Sequence, residues 1–272
     1  MVSLFQLQPQ KPRRSPENRS LKRGIQILRA FNPGCEFLGN SELAEITGLS
    51  KPTISRLTQT LVTTGMLEFD PSQRAYRLSP AVLGLAHTMW TGSTLLTIAT
   101  PLMTKWSDTH HLNVGLATAD GSEMIYLDSI RYLPEISHRR IVRGQKIPMP
   151  TTSLGQAYLA VLDNTQRDNL IQLFQKRWMN KWSEISKCLN DAIEKVQSEG
   201  YCYANWLPGV VAVSTPILIN QSIYALNCST TINEPINFEA LSFHKPLLTL
   251  RNQIIASVQQ EIKNKPKFMP PY

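Results

Sequence analysis

The stretch "ITGLSKPTISRLTQTLVTTGMLEFD", Ile46 to Asp70, decides the fold. Gly48 is placed for a left-handed turn, which a residue without a Cβ adopts freely. Pro52 is tolerated only in the first turn of a helix, so a helix starts at Ser50 or Lys51. Ile54, Leu57 and Leu61 recur at helical spacing and face a core. Lys51, Thr53, Ser55, Arg56, Gln59 and Thr60 fall on the other side, a set rich in groups that donate to phosphates and base edges. Gly65 ends the helix. Two short strands, "MLEF" and "AYRLS", follow across "DPSQR", whose Asp, Pro and Ser make a turn. Arg74 then sits at the tip of a hairpin and Arg77 along its edge.

Upstream, Ser20 can cap a helix whose apolar positions are Leu21, Ile25, Leu28 and Phe31, stopped by "NPG" at 32–34. Asn40 or Ser41 caps a second, short helix with Glu42 in its first turn and Leu43, Ala44 and Ile46 as its buried face. Helix, turn, helix and hairpin together spell a winged helix-turn-helix. In that motif the third helix enters a major groove and the second crosses the backbone. Arg56 has the planar fork that matches guanine N7 and O6. Thr53, Ser55 and Gln59 would read neighbouring bases or hold phosphates, and Arg74 and Arg77 would grip a flanking phosphate or minor groove. A three-helix subdomain that makes only protein contacts is the competing reading.

Bulk properties agree with a DNA partner. The first 90 residues hold 11 basic and 6 acidic side chains, the rest 17 and 14, so most of the net charge of +8 lies in the first third. A basic surface suits a polyanion, though it also serves plain solubility. Arg13 and Arg14, in a Pro- and Gln-rich arm over 1–18, either touch a phosphate backbone or belong to an untethered terminus. At 272 residues and 42% hydrophobic content the chain suits two modest globular domains. No apolar run approaches the ~20 residues of a membrane span, and the start lacks a leader pattern. Cys35, Cys188, Cys202 and Cys228 are scattered without CxxC spacing, which fits reduced thiols in a cytoplasm.

Ser79 can cap a further helix after which Leu83, Ala86, His87 and Trp90 share a side. "TGST" at 91–94 interrupts it before Leu95, Ile98, Leu102 and Trp106. From residue 113 strands alternate with helices: "NVGLAT", "EMIYLDSI" and "EISHRRIV" read as strands, and "SLGQAYLAVL", 165–176 and 186–199 as helices. "VVAVSTPILI" and "SIYALNCST" make a hairpin across Asn220–Gln221. A last helix runs from about Phe238 to Ile262, where Pro246 either kinks it or marks where its regular part begins.

The segments "RSLKRGIQILRAF", "LAEITGLSKPTISRLTQTLVTTGMLE", "YRLSP", "GQKIPMPTTSLGQAYLA" and "EGYCYANWLPGVVAVSTPI" resemble, in order, those of the IclR family of bacterial transcription regulators. The resemblance implies an α+β chain: a winged helix-turn-helix over 19–79, a linker helix over 80–93, a GAF-like mixed α/β effector-binding domain over 94–264 and a tail over 265–272. It implies a homodimer or dimer of dimers on a pseudo-palindromic operator, modulated by a small organic acid or aromatic metabolite. No cofactor, metal or membrane enters that picture. The effector pocket would be lined by "PMPTTSLG", "GVVAVSTP" and "ALNCST", hence by Thr151, Thr152, Ser153, Ala212, Ser214, Asn227 and Ser229. The residues themselves agree in part. Thr151, Thr152 and Ser153 precede a helix and can hold a carboxylate at its N-terminus. Ser214, Asn227 and Ser229 put small polar groups among apolar strand residues; capping helices and satisfying strand ends is the alternative. Where the family often has an acidic pair, this chain has "YANWLPG" with Asn205, Trp206 and Leu207. That departure favours a flatter, more apolar ligand such as an aromatic acid.

Enzyme signatures are missing: there is no GxSxG, HExxH, Walker loop or dinucleotide-binding glycine pattern. His110–His111 reads as a helix end rather than a metal site. "SHRRIVRGQK", Ser137 to Lys146, either meets an anionic effector or lies along a solvated strand. A metabolite sensor that works through protein contacts, without specific DNA binding, is the alternative function.

Overall fold

The computed structural model describes residues 17–132, 142–207, 209–231 and 242–264, leaving out the side chains of 206 and 207. Arg13, Arg14, the strand expected at "EISHRRIV" up to residue 141, Phe238 and Leu241 lie outside the described residues. Contact density divides the chain into Met1–Met89 and Trp90–Tyr272.

The first unit holds α1 (Arg19–Leu28), α2 (Asn40–Thr47), α3 (Lys51–Thr63), β1 (Leu67–Asp70) and β2 (Ala75–Leu78). Its core is Ile27, Ala30, Phe31, Leu38, Leu43, Ile54, Leu57 and Leu67, with Leu61 packed at the margin. The Gly48 turn has φ 69° and its N–H bonds the Ala44 carbonyl, which ends α2. Gly65, at φ 73°, ends the α3 segment in the same way. β1 and β2 pair antiparallel, Glu68 opposite Arg77. Leu38 and Tyr76 exchange backbone bonds of 3.0 and 2.9 Å, so the segment before α2 becomes a third rung of the wing.

Three local expectations shift. Asn18 caps α1 instead of Ser20, accepting from the Leu21 N–H at 3.1 Å. The buried stripe of α1 is Gly24, Ile27 and, after the helix, Phe31, whereas Leu21 and Ile25 are exposed. Gly24 carries no side chain for a hydropathy pattern to register, so the apolar residues drew the stripe one step off. Gly39, not Asn40 or Ser41, is the N-cap of α2, because the Glu42 carboxylate accepts the Gly39 N–H at 2.7 Å and supplies the cap itself. Ile46 is exposed, which leaves Leu43 as the fully buried residue of that helix.

α4 (Ala81–Thr91) follows Ser79, whose hydroxyl accepts the Ala81 N–H and donates to the Gly65 carbonyl. It buries no residue, and Leu83, Leu85 and Met89 are all exposed.

The second unit is built on one six-stranded sheet. Its strands are β3 (Asn113–Asp120), β4 (Glu123–Ile130), β5 (Lys146–Pro148), β6 (Cys202–Leu207), β7 (Val210–Ile219) and β8 (Ser222–Thr231), in the order β5-β4-β3-β8-β7-β6. Every pairing is antiparallel. β5 and β6 are edge strands that the sequence pattern does not announce. α5 (Thr94–His110) and α9 (His244–Asn264) cover one face through Leu96, Met103, Leu247 and Ile254 against Val114, Leu116, Val213 and Leu226. Pro246 falls in the first turn of α9, where a proline costs no hydrogen bond. His110 closes α5 and His111 caps it at φ 56°, stacked on Tyr132. α6 (Ser153–Ala160), α7 (Asn164–Arg177) and α8 (Trp182–Glu199) cover the other face through Leu154, Phe174 and Leu189 against Met124, Tyr126 and Ala225. α6 crosses the turn before it so closely that a Cβ on Gly155 would lie 2.0 Å from the Met149 carbonyl oxygen.

A polar helix face and a polar sheet row

α3 presents two chemically opposite sides. Ile54 and Leu57 are buried, and Thr58 joins them by donating its hydroxyl to the Ile54 carbonyl at 2.9 Å. Lys51, Ser55, Arg56, Gln59 and Thr60 are exposed and Thr53 half-buried. Two of these hydroxyls have partners within the helix: Thr53 shares a 2.9 Å bond with Ser50, and Thr60 donates to the Arg56 carbonyl. No side chain caps the N-terminus, and no acidic residue stands in the first turn. The first N–H groups and the positive end of the helix dipole are therefore open to an anion.

On the wing, Asp70 accepts from the Ser72 and Gln73 N–H groups and the Ser72 hydroxyl, which holds its carboxyl below the usual range and fixes the turn. Arg74 follows, exposed, at φ 52°. Arg77 lies exposed along the hairpin edge, its guanidinium paired with the Glu68 carboxylate across the strands at 2.8–2.9 Å.

In the second unit the expected effector residues come from the start of α6 and from the sheet, and the Ser214–Ser153 bond joins the two. Thr152 and Ser153 serve the chain itself. Thr152 caps α6 and donates to the Pro148 carbonyl at 2.6 Å; Ser153 receives the Ser214 hydroxyl at 2.7 Å. Thr151 lines a cleft of about 740 Å³ together with Gln156, Cys202 and Asn205. Ala212, Ser214, Asn227 and Ser229 instead form a row on the sheet, since register places Ala212 against Ser229 and Ser214 against Asn227. All four are buried. The side chain of Trp206 lies outside the described residues.

Some groups in this region escaped the sequence reading. Buried oxygens of Gln156 and Asn227 have no hydrogen-bond partner. Tyr126 lies on the same sheet face, its phenol pushed up to about 12 by burial. Arg131 follows β4 with a buried, unpartnered Nε. A charge at the end of an alternating strand is the only signal that pointed to it. Burial also raises the Cys202 and Cys228 thiols, so both stay protonated at neutral pH. Among the described residues no three His, Cys, Asp or Glu side chains converge, and no helix is long and apolar enough to cross a membrane.

A winged helix-turn-helix with a bare third helix, followed by helix-flanked sheet with buried polar groups, is the architecture of a ligand-responsive DNA-binding regulator. The IclR helix-turn-helix domain model matches residues 20–71, and the bacterial transcriptional regulator IclR C-terminal model matches 87–255. The chain belongs to the IclR family of bacterial transcription regulators. It is 34% identical over 185 residues to the HTH-type transcriptional regulator TsaQ1/TsaQ2 of Comamonas testosteroni, which spans 67% of this chain and 66% of that one. The crystal structure of an IclR family regulator from Brucella abortus superposes with a TM-score of 0.82 at 29% identity, over 94% of this chain and 96% of that one. An IclR homologue of Microbacterium hydrocarbonoxydans, solved in complex with 4-hydroxybenzoate, shares the fold with a TM-score of 0.67 at 19% identity, over 89% of this chain and 99% of that one.

Proposed function

We propose that the chain binds a pseudo-palindromic operator as a homodimer or dimer of dimers, in the cytoplasm, and that a small organic acid held in its second unit changes operator binding or transcription. The observation that carries the DNA-binding half is the two-sided α3. Its Ile54–Leu57 side is sealed in the core while Lys51, Ser55, Arg56, Gln59 and Thr60 face solvent beside an uncapped helix start. Arg56 would meet a guanine edge, Thr53, Ser55, Gln59 and Thr60 adjacent bases and phosphates, and Arg74 the flanking backbone. Arg77 would join them by exchanging Glu68 for a phosphate. Dimerisation is supported by α4, whose apolar Leu83, Leu85 and Met89 are exposed.

For the effector half, the buried row of Ser214, Asn227 and Ser229, with Thr151 nearby in sequence to the α6 cap, offers polar groups in an apolar surround. The related fold that holds 4-hydroxybenzoate supports an aromatic acid as the ligand class. The test is a gel shift of the full chain with DNA from beside its own gene, at fixed salt, titrated with 4-hydroxybenzoate and other small carboxylates. A specific complex that an acid strengthens or weakens is expected. Equal affinity for unrelated DNA would end the operator reading, and indifference to every acid would end the effector reading.

A further inference from the structure

The sheet face beneath α6 holds an unsatisfied acceptor and an unsatisfied charged donor around one phenol. Register places Gly115 of β3 between Ser129 of β4 and Asn227 of β8. Because Gly115 is bare, the Tyr126 ring and the Asn227 amide come together over it. A Cβ there would fall 2.6 Å from Tyr126 Cε1 and 2.7 Å from Asn227 Oδ1. The Asn227 side chain hydrogen-bonds the phenol and holds its pKa down, which burial raises overall. The Asn227 Oδ1 atom stays buried without a partner. Arg131 follows Ile130, which pairs with Val114 on the opposite face, so it returns to the face of Gly115, and its Nε–H is also buried and unpartnered.

Neither acid-bearing neighbour supplies the missing partner. Tyr126 keeps its proton at neutral pH and brings no negative charge. Asp128 pairs across from Leu116 on the opposite sheet face, where it binds Thr100 and Arg143 at 2.6 and 2.8 Å. Leaving a buried acceptor and a buried guanidinium N–H unmatched is costly, and native chains retain such groups where something else completes them. The completing molecule needs a carboxylate, whose two oxygens suit the guanidinium fork, and a hydroxyl that donates to an amide oxygen.

We propose that Arg131 anchors the carboxylate of the effector and Asn227 accepts from its hydroxyl, so that the site takes a small hydroxy acid. This rests on the effector reading above and adds to it the ionic partner and the hydroxyl requirement.

The test uses the full chain, with calorimetry and thermal shift against 4-hydroxybenzoate, salicylate, mandelate and lactate, each beside its deoxy acid and its carboxamide. At least one hydroxy acid is expected to bind, with its carboxamide and its deoxy acid each bound about tenfold or more weakly. Arg131→Gln is expected to lower that affinity about 10- to 100-fold, the range for hydrogen bonds to a charged group. Arg131→Lys, which keeps the charge without the fork, serves if the first variant is unfolded, and is expected to fall between. Asn227→Leu is expected to abolish the preference for the hydroxy acid over its deoxy partner. If a hydroxy acid binds, Ser229→Ala weakens it and the Arg131 variants do not, the effector site stands and the anchor is wrong. A carboxamide bound as tightly as its acid also overturns the anchor. If no acid binds the unaltered protein, the anchor and the effector reading fall together.

Discussion

Arg56 and Arg74 are both exposed cations of the first unit, but they sit on elements with different reach. Arg56 projects from a helix that fits a major groove, so Arg56→Ala should cost ~1–3 kcal/mol of operator affinity and relax the preference at one base pair. Arg74 projects from the wing turn, and in the proposed complex it meets the flanking backbone. Its replacement by Ala should weaken all sequences alike and reduce the slope of log affinity against log salt by about 0.9. Binding measured over several salt concentrations, with operator and scrambled duplexes, separates the two; a base-specific loss at Arg74 or a uniform one at Arg56 would exchange their roles. Tyr126 titrates in a testable window as well. Its pKa rises from 10.0 to about 12 on folding, because burial opposes the phenolate. The native state then holds a proton that the unfolded chain releases, so stability is full below pH 10 and falls through pH 12 by up to ~1.4 kcal/mol per unit. Tyr126→Phe should flatten urea-melt stability over that interval relative to the parent; an identical slope would mean the phenol is solvated.

At the scale of elements, periodicity made α2, α3, the wing, the β7–β8 hairpin and the helices of the second unit legible, because each repeats its apolar residues at a fixed step. It did not say which side of α1 faces inward. Gly24 lies in the buried stripe and Leu21 and Ile25 outside it, a choice made by close packing rather than by hydropathy. The same reasoning makes α4 informative. Eleven residues that include three exposed large apolar side chains and none buried are not a stable solitary helix. Leu85→Asp should therefore weaken self-association by about tenfold or more, given ~1.5–3 kcal/mol for burying one leucine. Sedimentation across a concentration series would read it, and an unaltered association constant would place the dimer contact elsewhere. In β4 a bulge sets Leu116 against Asp128 but Ala117 against Tyr126. Simple alternation along "EMIYLDSIR" therefore misassigns every side chain beyond the bulge, Arg131 included.

For the molecule as a whole, regulation requires that ligand state in the second unit be felt by α4, the helix that runs from one unit into the other. The last turn of α4 is held within the second unit by the packing of Trp90 against its core and by a polar chain of contacts. Trp90 stacks under the Arg143 guanidinium, 4.5 Å from its ring centre, and Arg143 binds the buried Asp128 carboxylate, which also takes the Thr100 hydroxyl. Cutting this chain at Trp90, its half-buried end, should uncouple the two activities. Trp90→Ala should leave ligand affinity and ligand-free operator affinity nearly unchanged while erasing most of the ~1–3 kcal/mol by which ligand shifts operator binding. A full ligand response in that variant would show that the signal travels by another route.

The sequence by itself determined the class of the main helices and of every strand but β5 and β6, the ends at Gly48, Pro52 and Gly65, and the donor-rich side of α3, since these follow from local backbone chemistry and from a repeat shorter than the helix. Tertiary structure alone decided that Arg77 is held by Glu68, that Ser153 bonds Ser214, and that the register past the β4 bulge turns Arg131 to the face of Gly115 and Asn227. Those outcomes depend on strand register and on which residues meet across the chain, from 9 positions for Arg77 and Glu68 to 61 for Ser153 and Ser214. A periodic pattern records how often a side chain turns toward the core, never what it finds there.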